Sequence, residues 1–100
     1  MNNSTETPIT DEMVIWKYQI DTTDTQKILM PDGAEILTVQ IQGGVPCLWA
    51  YLNPNNTNTN RKIEVFGTGK PIPEGKRKYI GTYQLIAYFL VFHVFENLDQ

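Results

Sequence analysis

From Val14 onward, apolar and polar residues alternate with a period of two. Trp16, Tyr18 and Ile20 fall on one side and Ile15, Lys17 and Gln19 on the other, the signature of a strand with one covered face. Asp21-Thr22-Thr23-Asp24 offers side-chain acceptors for a turn, Lys27 to Met30 reads as a short second strand, and Pro31-Asp32-Gly33-Ala34 as a second turn. Ala34 to Gln42 is the most regular stretch. Gly43-Gly44 follows it where a two-residue hairpin needs positive φ, and Val45 to Leu52 returns.

If Gln42 faces Val45 across that turn, Val39 opposes Leu48, Leu37 opposes Ala50 and Ile41 lies beside Pro46 on a core face. The other face then sets Thr38 opposite Trp49, Gln40 opposite Cys47 and Ile36 opposite Tyr51. Asn53 to Asn60 is a polar low-complexity run whose side chains compete with the backbone for hydrogen bonds, so a loop without strand is expected there. Lys62 to Phe66 is the next strand, and Gly67 to Lys78 a long loop. Tyr79 to Gln84 is another strand, and Leu85 to Tyr88 either continues it or turns into the closing strand, Phe89 to Glu96. The core of that last strand, Leu90 to Phe95, is apolar on both alternating faces, which predicts a strand covered by a second layer or a second subunit.

About seven strands and no helical period predict an all-β, single-domain antiparallel β-sandwich or partly open barrel. The polar, aperiodic residues 1–13 read as a disordered N-terminal tail, 14–96 as the β domain and 97–100 as a C-terminal tail.

Composition narrows the function classes. Eight Lys and Arg against 11 Asp and Glu, a net charge of −3, withhold the broad positive field that phosphate-backbone binding uses, so no nucleic-acid partner is expected. The single Cys47 allows no intrachain disulfide, and no apolar run reaches the ~20 residues of a membrane span. No apolar leader follows Met1, so a soluble, cytoplasmic protein without membrane contact is expected. Six of the eight basic residues lie between positions 61 and 78. They form either a positive rim suited to a phosphorylated small molecule or a solvated loop.

Candidate chemistry is sparse. Gly67-Thr68-Gly69-Lys70 combines flexible glycines, a hydroxyl and an ammonium, the ingredients of an anion-binding nest, although a turn stiffened by Pro71 and Pro73 uses the same residues. His93 is the only histidine and sits in the most apolar run, where a structural role is expected. Neither it nor Cys47 belongs to a spacing that makes a nucleophilic triad. One His and one Cys make no closed metal site, so no metal, no cofactor and no catalytic residue are expected. A hydrolase would need its acid or base from His93, Glu64 or Asp32.

Ile15-Trp16-Lys17-Tyr18, Val45-Pro46-Cys47-Leu48-Trp49-Ala50, Phe66-Gly67-Thr68-Gly69 with Pro71-Ile72-Pro73, Tyr79-Ile80-Gly81-Thr82-Tyr83-Gln84 and Leu90 to Glu96 occur here together. In that combination the chain resembles, over residues 14 to 96, a family of small proteins of bacteriophages, prophages and plasmids grouped as a domain of unknown function. The resemblance implies a mobile-element origin and an intracellular setting, and it supplies no catalytic residues. Two departures stand out. Lys70 follows Gly-Thr-Gly where family members often carry His, and Leu85-Ile86-Ala87-Tyr88 stands where they have a smaller Gly-rich turn.

These readings lead to a non-enzymatic phage accessory protein in the host cytoplasm. It is expected to be a homo-oligomer that binds and sequesters a nucleotide-like small molecule, a host antiviral defence signal. Trp49, Tyr51 and Tyr83 would offer rings, and Gly67, Thr68, Gly69 and Lys70 would hold phosphate. The alternative is a protein-interaction module that inhibits a host defence protein through its aromatic surface or an edge strand.

Overall fold

Every regular element among the described residues is a strand. The computed structural model describes residues 12–87 and 89–99, and among them seven strands follow in order: β1 (Val14–Gln19), β2 (Thr25–Pro31), β3 (Glu35–Gln42), β4 (Val45–Leu52), β5 (Asn58–Gly67), β6 (Arg77–Leu85) and β7 (Leu90–Asn97). They form two antiparallel sheets, β1-β4-β3 and β2-β5-β7-β6. The all-β sandwich expected from the alternation is therefore the fold. The expected tail lies outside the described residues as far as residue 11, and so does Tyr88.

The hairpin β3–β4 turns on Gly43 and Gly44, with φ of 59° and 81°, a type I′ geometry that sets Gln42 opposite Val45. The expected register holds from there back to Thr38 opposite Trp49 and then breaks at a bulge on Leu37, so that Ile36 opposes Ala50 and Glu35 opposes Tyr51. This corrects two pairings. The extra residue reverses the alternation, burying Ile36 beside Val39 and turning Leu37 outward. Ile41, expected in the core, is also exposed, because it lies on the edge strand of the sheet, outside its buried ladder partner Pro46.

Between the sheets lie Leu48, Ala50 and Leu52 of β4, Ile63 and Val65 of β5, Met30 of β2 and Val94 of β7, all buried. On β1 the inward residues Tyr18 and Val14 pack on this core and Ile20 is buried just beyond the strand, but Trp16 remains 44% exposed. β7 is central in its sheet. Of its two apolar faces only Val94 is fully covered, and Val91 and Phe95 on the opposite face are half-buried.

Several segments expected outside the strands join the sheet. Asn58, Thr59 and Asn60 extend β5 because the backbone of Pro31, Met30 and Leu29 pairs with them, a ladder that overrides the local preference of Asn. The turn contracts to Asn53-Pro54-Asn55-Asn56, closed by the Asn56 amide on the Asn53 carbonyl (3.1 Å) and the Asn55 amide on Asn53 Oδ1 (2.9 Å). Arg77 and Lys78 start β6, and Asn97 ends β7. Leu98 and Asp99 follow no separate path, since the Leu98 amide binds the Lys76 carbonyl and Asp99 Oδ2 accepts from the Lys76 amide.

The two sheets meet along one side, where β3 runs against β6 without sharing a ladder. Gly81 makes this approach possible: a Cβ there would lie 2.8 Å from Cγ1 of Val39 and 3.6 Å from its backbone nitrogen. Val39 is buried and β-branched, so it has little room to turn away. Replacing Gly81 with Ala is therefore expected to destabilise the protein by about 1–3 kcal/mol in urea denaturation, the usual range for overpacking. An unchanged midpoint would show that the strands are not in contact.

Candidate functional site

A bulge on Ile80 decides what β6 presents to solvent. Tyr79 opposes Phe95 and Gly81 opposes Val94, so Ile80 is the additional residue. Tyr79 and Thr82, three apart, consequently share the outer face of the four-stranded sheet and hydrogen-bond through their hydroxyls. The same face carries His93 of β7, flanked by Thr82 on β6 and, just past the end of β5, by Thr68.

Both ring nitrogens of His93 are engaged, Nδ1 with Thr82 Oγ1 at 3.0 Å and Nε2 with Thr68 Oγ1 at 2.8 Å. The Thr68 hydroxyl also reaches the Val91 carbonyl at 3.4 Å. Every proton finds an acceptor in one assignment: Tyr79 donates to Thr82, Thr82 to Nδ1, Nε2–H to Thr68, and Thr68 to Val91. The chain ends on a backbone carbonyl and contains no carboxylate. It orients hydroxyl groups but leaves no imidazole lone pair free to take a proton from a substrate.

Next to this chain, Gly67-Thr68-Gly69-Lys70 forms a turn closed by the Lys70 amide on the Gly67 carbonyl (3.0 Å), with Gly69 at φ +90° in the position that demands glycine. The Thr68 amide binds the Val91 carbonyl at 3.2 Å. These two amides close the turn rather than converge on an anion, which leaves anion recognition to the Lys70 ammonium and the Thr68 hydroxyl. Lys70 stands between two grooves. One, of about 310 Å³, runs under Pro71 and Pro73 along Phe66 and Glu64; the other, of about 410 Å³, is walled by Phe89, Leu90 and Phe92.

The other expected ring residues lie elsewhere. Trp49 and Tyr51 are on the outer face of the three-stranded sheet, beside Lys17 and Ile15 of β1. They are on a different sheet from the Gly67–Lys70 turn. Tyr83 is 3% exposed on the inner side of β6, tilted against Phe92 with ring centroids 5.5 Å apart, and its hydroxyl meets Thr22 Oγ1 at 2.6 Å. Thr68 thus joins His93, Thr82 and Tyr79, with Lys70 two residues on in the adjoining turn, while Trp49, Tyr51 and Tyr83 do not join them. His93 was legible only as a residue on the face shared with Val91 and Phe95. The missed signal is that Val94 is the core position, which turns His93 outward toward the two threonines.

Two of the basic residues expected to form a rim are bound internally. Arg77 pairs with Glu64 at 2.6 Å and lies 5.6 Å from the centroid of the Phe66 ring, itself edge-on to Phe95. Arg61 pairs with Glu96 through both Nε and Nη2 and donates to the Ala34 carbonyl at 2.8 Å, and its hydrogen bonds to Glu96 raise its pKa further. Glu64 is therefore a structural partner of Arg77 and Asn97 on this sheet. Cys47 is buried with Sγ directed to the Val45 carbonyl of its own strand. No group of three His, Cys, Asp or Glu among the described residues is placed to hold a metal ion, and no helix among them is long and apolar enough to cross a membrane.

These features define a small two-sheet antiparallel β domain with a polar chain and a lysine-bearing turn on the outer face of its larger sheet. The family described as Domain of unknown function (DUF7352) matches residues 12–100, and the chain belongs to it. Searches among curated proteins and among solved structures return no match.

Burial raises the pKa of Tyr83, against a smaller opposite effect of its Thr22 hydrogen bond, and burial also raises that of Tyr18, whose hydroxyl has no partner among the described residues. A phenol whose folded pKa is raised contributes its full stability below the unfolded pKa of about 10 and loses it as pH climbs through the folded value. Stability is therefore expected to fall above about pH 10, less steeply in Tyr83→Phe. At neutral pH, Tyr83→Phe should lose about 1 kcal/mol with its hydrogen bond, whereas Tyr18→Phe should be neutral or stabilising by up to about 1 kcal/mol. Urea denaturation across pH checks both signs.

Proposed function

We propose that this chain is a non-enzymatic binding protein of a phage or other mobile element that sequesters a nucleotide-like anion, a host defence signal, in the host cytoplasm. The observation that carries the reading is the position of Lys70. Lys70 lines two grooves, in the same turn as Thr68, with Phe89 and Phe92 along one groove and Phe66 along the other. A phosphate on Lys70 and Thr68 would leave the attached base to lie against one of these rings, replacing Trp49 and Tyr51 as the stacking partners. The non-enzymatic part rests on His93, whose two nitrogens are held by threonines, and on Glu64, which is held by Arg77.

A second reading, a module that inhibits a host protein, is favoured by the β6–β7 turn. Ile86 and Phe89 are 71% and 86% exposed there. Ile86 and Ala87 hold φ of 52°, an unfavourable conformation for a β-branched residue in particular. Apolar side chains on a strained tip are what a protein partner would cover.

Thermal-shift and calorimetric titration with a panel of linear and cyclic nucleotides separates the two. The first reading predicts that at least one nucleotide raises Tm and that Lys70→Ala weakens its binding about tenfold or more, the usual effect of losing a charge-assisted hydrogen bond. Trp49→Ala should leave that affinity unchanged. No shift with any nucleotide, together with a single stoichiometric protein captured by wild type and lost in Phe89→Ser, would replace it with the second.

A further inference from the structure

β1 and β2 are the outermost strands of their sheets, and no described strand lies beyond either. Their free edges differ in kind. The Asp24 carbonyl accepts from Val65 and the Asp32 amide donates to the Thr57 carbonyl, so the even-numbered residues of β2 turn their peptide groups toward β5. The odd ones, Thr25, Lys27, Leu29 and Pro31, face outward. That edge carries a lysine and ends in a proline with no N–H, two devices that discourage strand addition.

The edge of β1 has no proline, and its one lysine is tied back to the sheet. The Ile20 amide donates to the Pro46 carbonyl at 3.0 Å, continuing the register in which Tyr18 opposes Leu48 and Trp16 opposes Ala50. Even residues therefore bond to β4, and the N–H and C=O groups of Ile15, Lys17 and Gln19 point away from the sheet. The strand has no proline and no bulge, and its one charge, Lys17, reaches back across β4 to hydrogen-bond Gln42 on β3. Ile15 and Trp16 are 57% and 44% exposed, although Trp16 lies on the side of β1 whose other residues face the core.

The geometry points to a second copy of this chain as the occupant of this edge. A two-fold axis perpendicular to the sheet keeps each residue on its own face, so it must pair residues of equal parity. Three centres are available. One at Lys17 opposes two ammonium groups, and one at Ile15 leaves Trp16 facing Val14. An axis at Trp16 opposes Trp16 to its equivalent, Ile15 to Lys17 and Val14 to Tyr18. In that register the outward peptide groups of Ile15 and Lys17 exchange hydrogen bonds, and the tryptophans form the close, non-hydrogen-bonded pair where side chains approach most nearly. The two three-stranded sheets become one six-stranded sheet, β3-β4-β1 continued into its equivalent. The expected homo-oligomer thereby acquires a definite interface, one that stands or falls separately from ligand binding at Lys70.

Sedimentation equilibrium over roughly 1–100 μM is expected to show a dimer for wild type and a monomer for Ile15→Pro. The proline removes only an N–H that points away from β4, so the circular dichroism spectrum should be unchanged. Under an oxidant, Trp16→Cys should cross-link between copies, since opposed Cα atoms at about 4.5 Å admit a disulfide, whereas Ile15→Cys and Lys17→Cys, not opposed to themselves, should not. A wild type that stays monomeric throughout, a dimer that survives Ile15→Pro, or cross-linking through position 15 or 17 instead of 16 would each overturn the proposal. Should Ile15→Pro fail to fold, the cysteine series decides alone.

Discussion

The backbone contact between Val39 and Gly81 is the constraint on which the rest of the structure depends. Two sheets that share no ladder must be held by side-chain packing alone unless their edges touch, and here β3 and β6 touch because β6 has no side chain at the crossing point. Each strand also carries a bulge within two residues of the contact, at Leu37 and Ile80. Bulges bend and twist a strand, and these two lie where one sheet must curve toward the other. Sealing that side leaves β1 and β2 as the open edges among the described strands, and it places Tyr83 inside, where its hydroxyl binds the β1–β2 connection at Thr22.

The same bulge on β6 links architecture to the outer surface. Were Ile80 an ordinary ladder residue instead of a bulge, Tyr79 and Thr82, three apart, would point to opposite faces, and the hydroxyl chain through His93 could not form. Either side of that sheet is braced by an Arg–Glu pair, Arg77 with Glu64 on the outer face and Arg61 with Glu96 toward the Ala34 corner. Partly buried pairs of this kind add little net stability, but removing one partner strands the other charge. Their value here is positional: Arg77 pins the Pro73 carbonyl, and with it the proline segment that roofs one of the two grooves beside Lys70.

Alternation of apolar and polar residues was enough to place all seven strands, because each has one face on a single core. The Gly43-Gly44 hairpin and its register were legible for the same reason, since positive φ at two successive residues admits few alternatives. What period two cannot reveal is where it is interrupted. Leu37 and Ile80 are ordinary strand residues, and only the burial of Ile36 with Val39, or of Tyr83 beyond Gly81, marks them as bulges. The strand character of Asn58 to Asn60 was hidden too, because it comes from the partner strand β2 and not from the asparagines. Of the candidate site, the Gly-Thr-Gly-Lys turn was legible as a local motif. Its neighbours His93, Thr82 and Tyr79 were not, since their meeting depends on the register of three strands distant in sequence, and the rings of Trp49 and Tyr51 proved to belong to the other sheet.

The most direct test of the central contact is a double-mutant cycle between Val39 and Gly81, read by equilibrium denaturation of wild type, Val39→Ala, Gly81→Ala and the pair. If the two residues meet as described, trimming Val39 makes room for the added methyl. The pair should then be less destabilised than the sum of the single changes by about 0.5–3 kcal/mol, the coupling expected of residues in contact. Additive losses would mean that β3 and β6 do not touch at this point, and that the two sheets are joined in some other way.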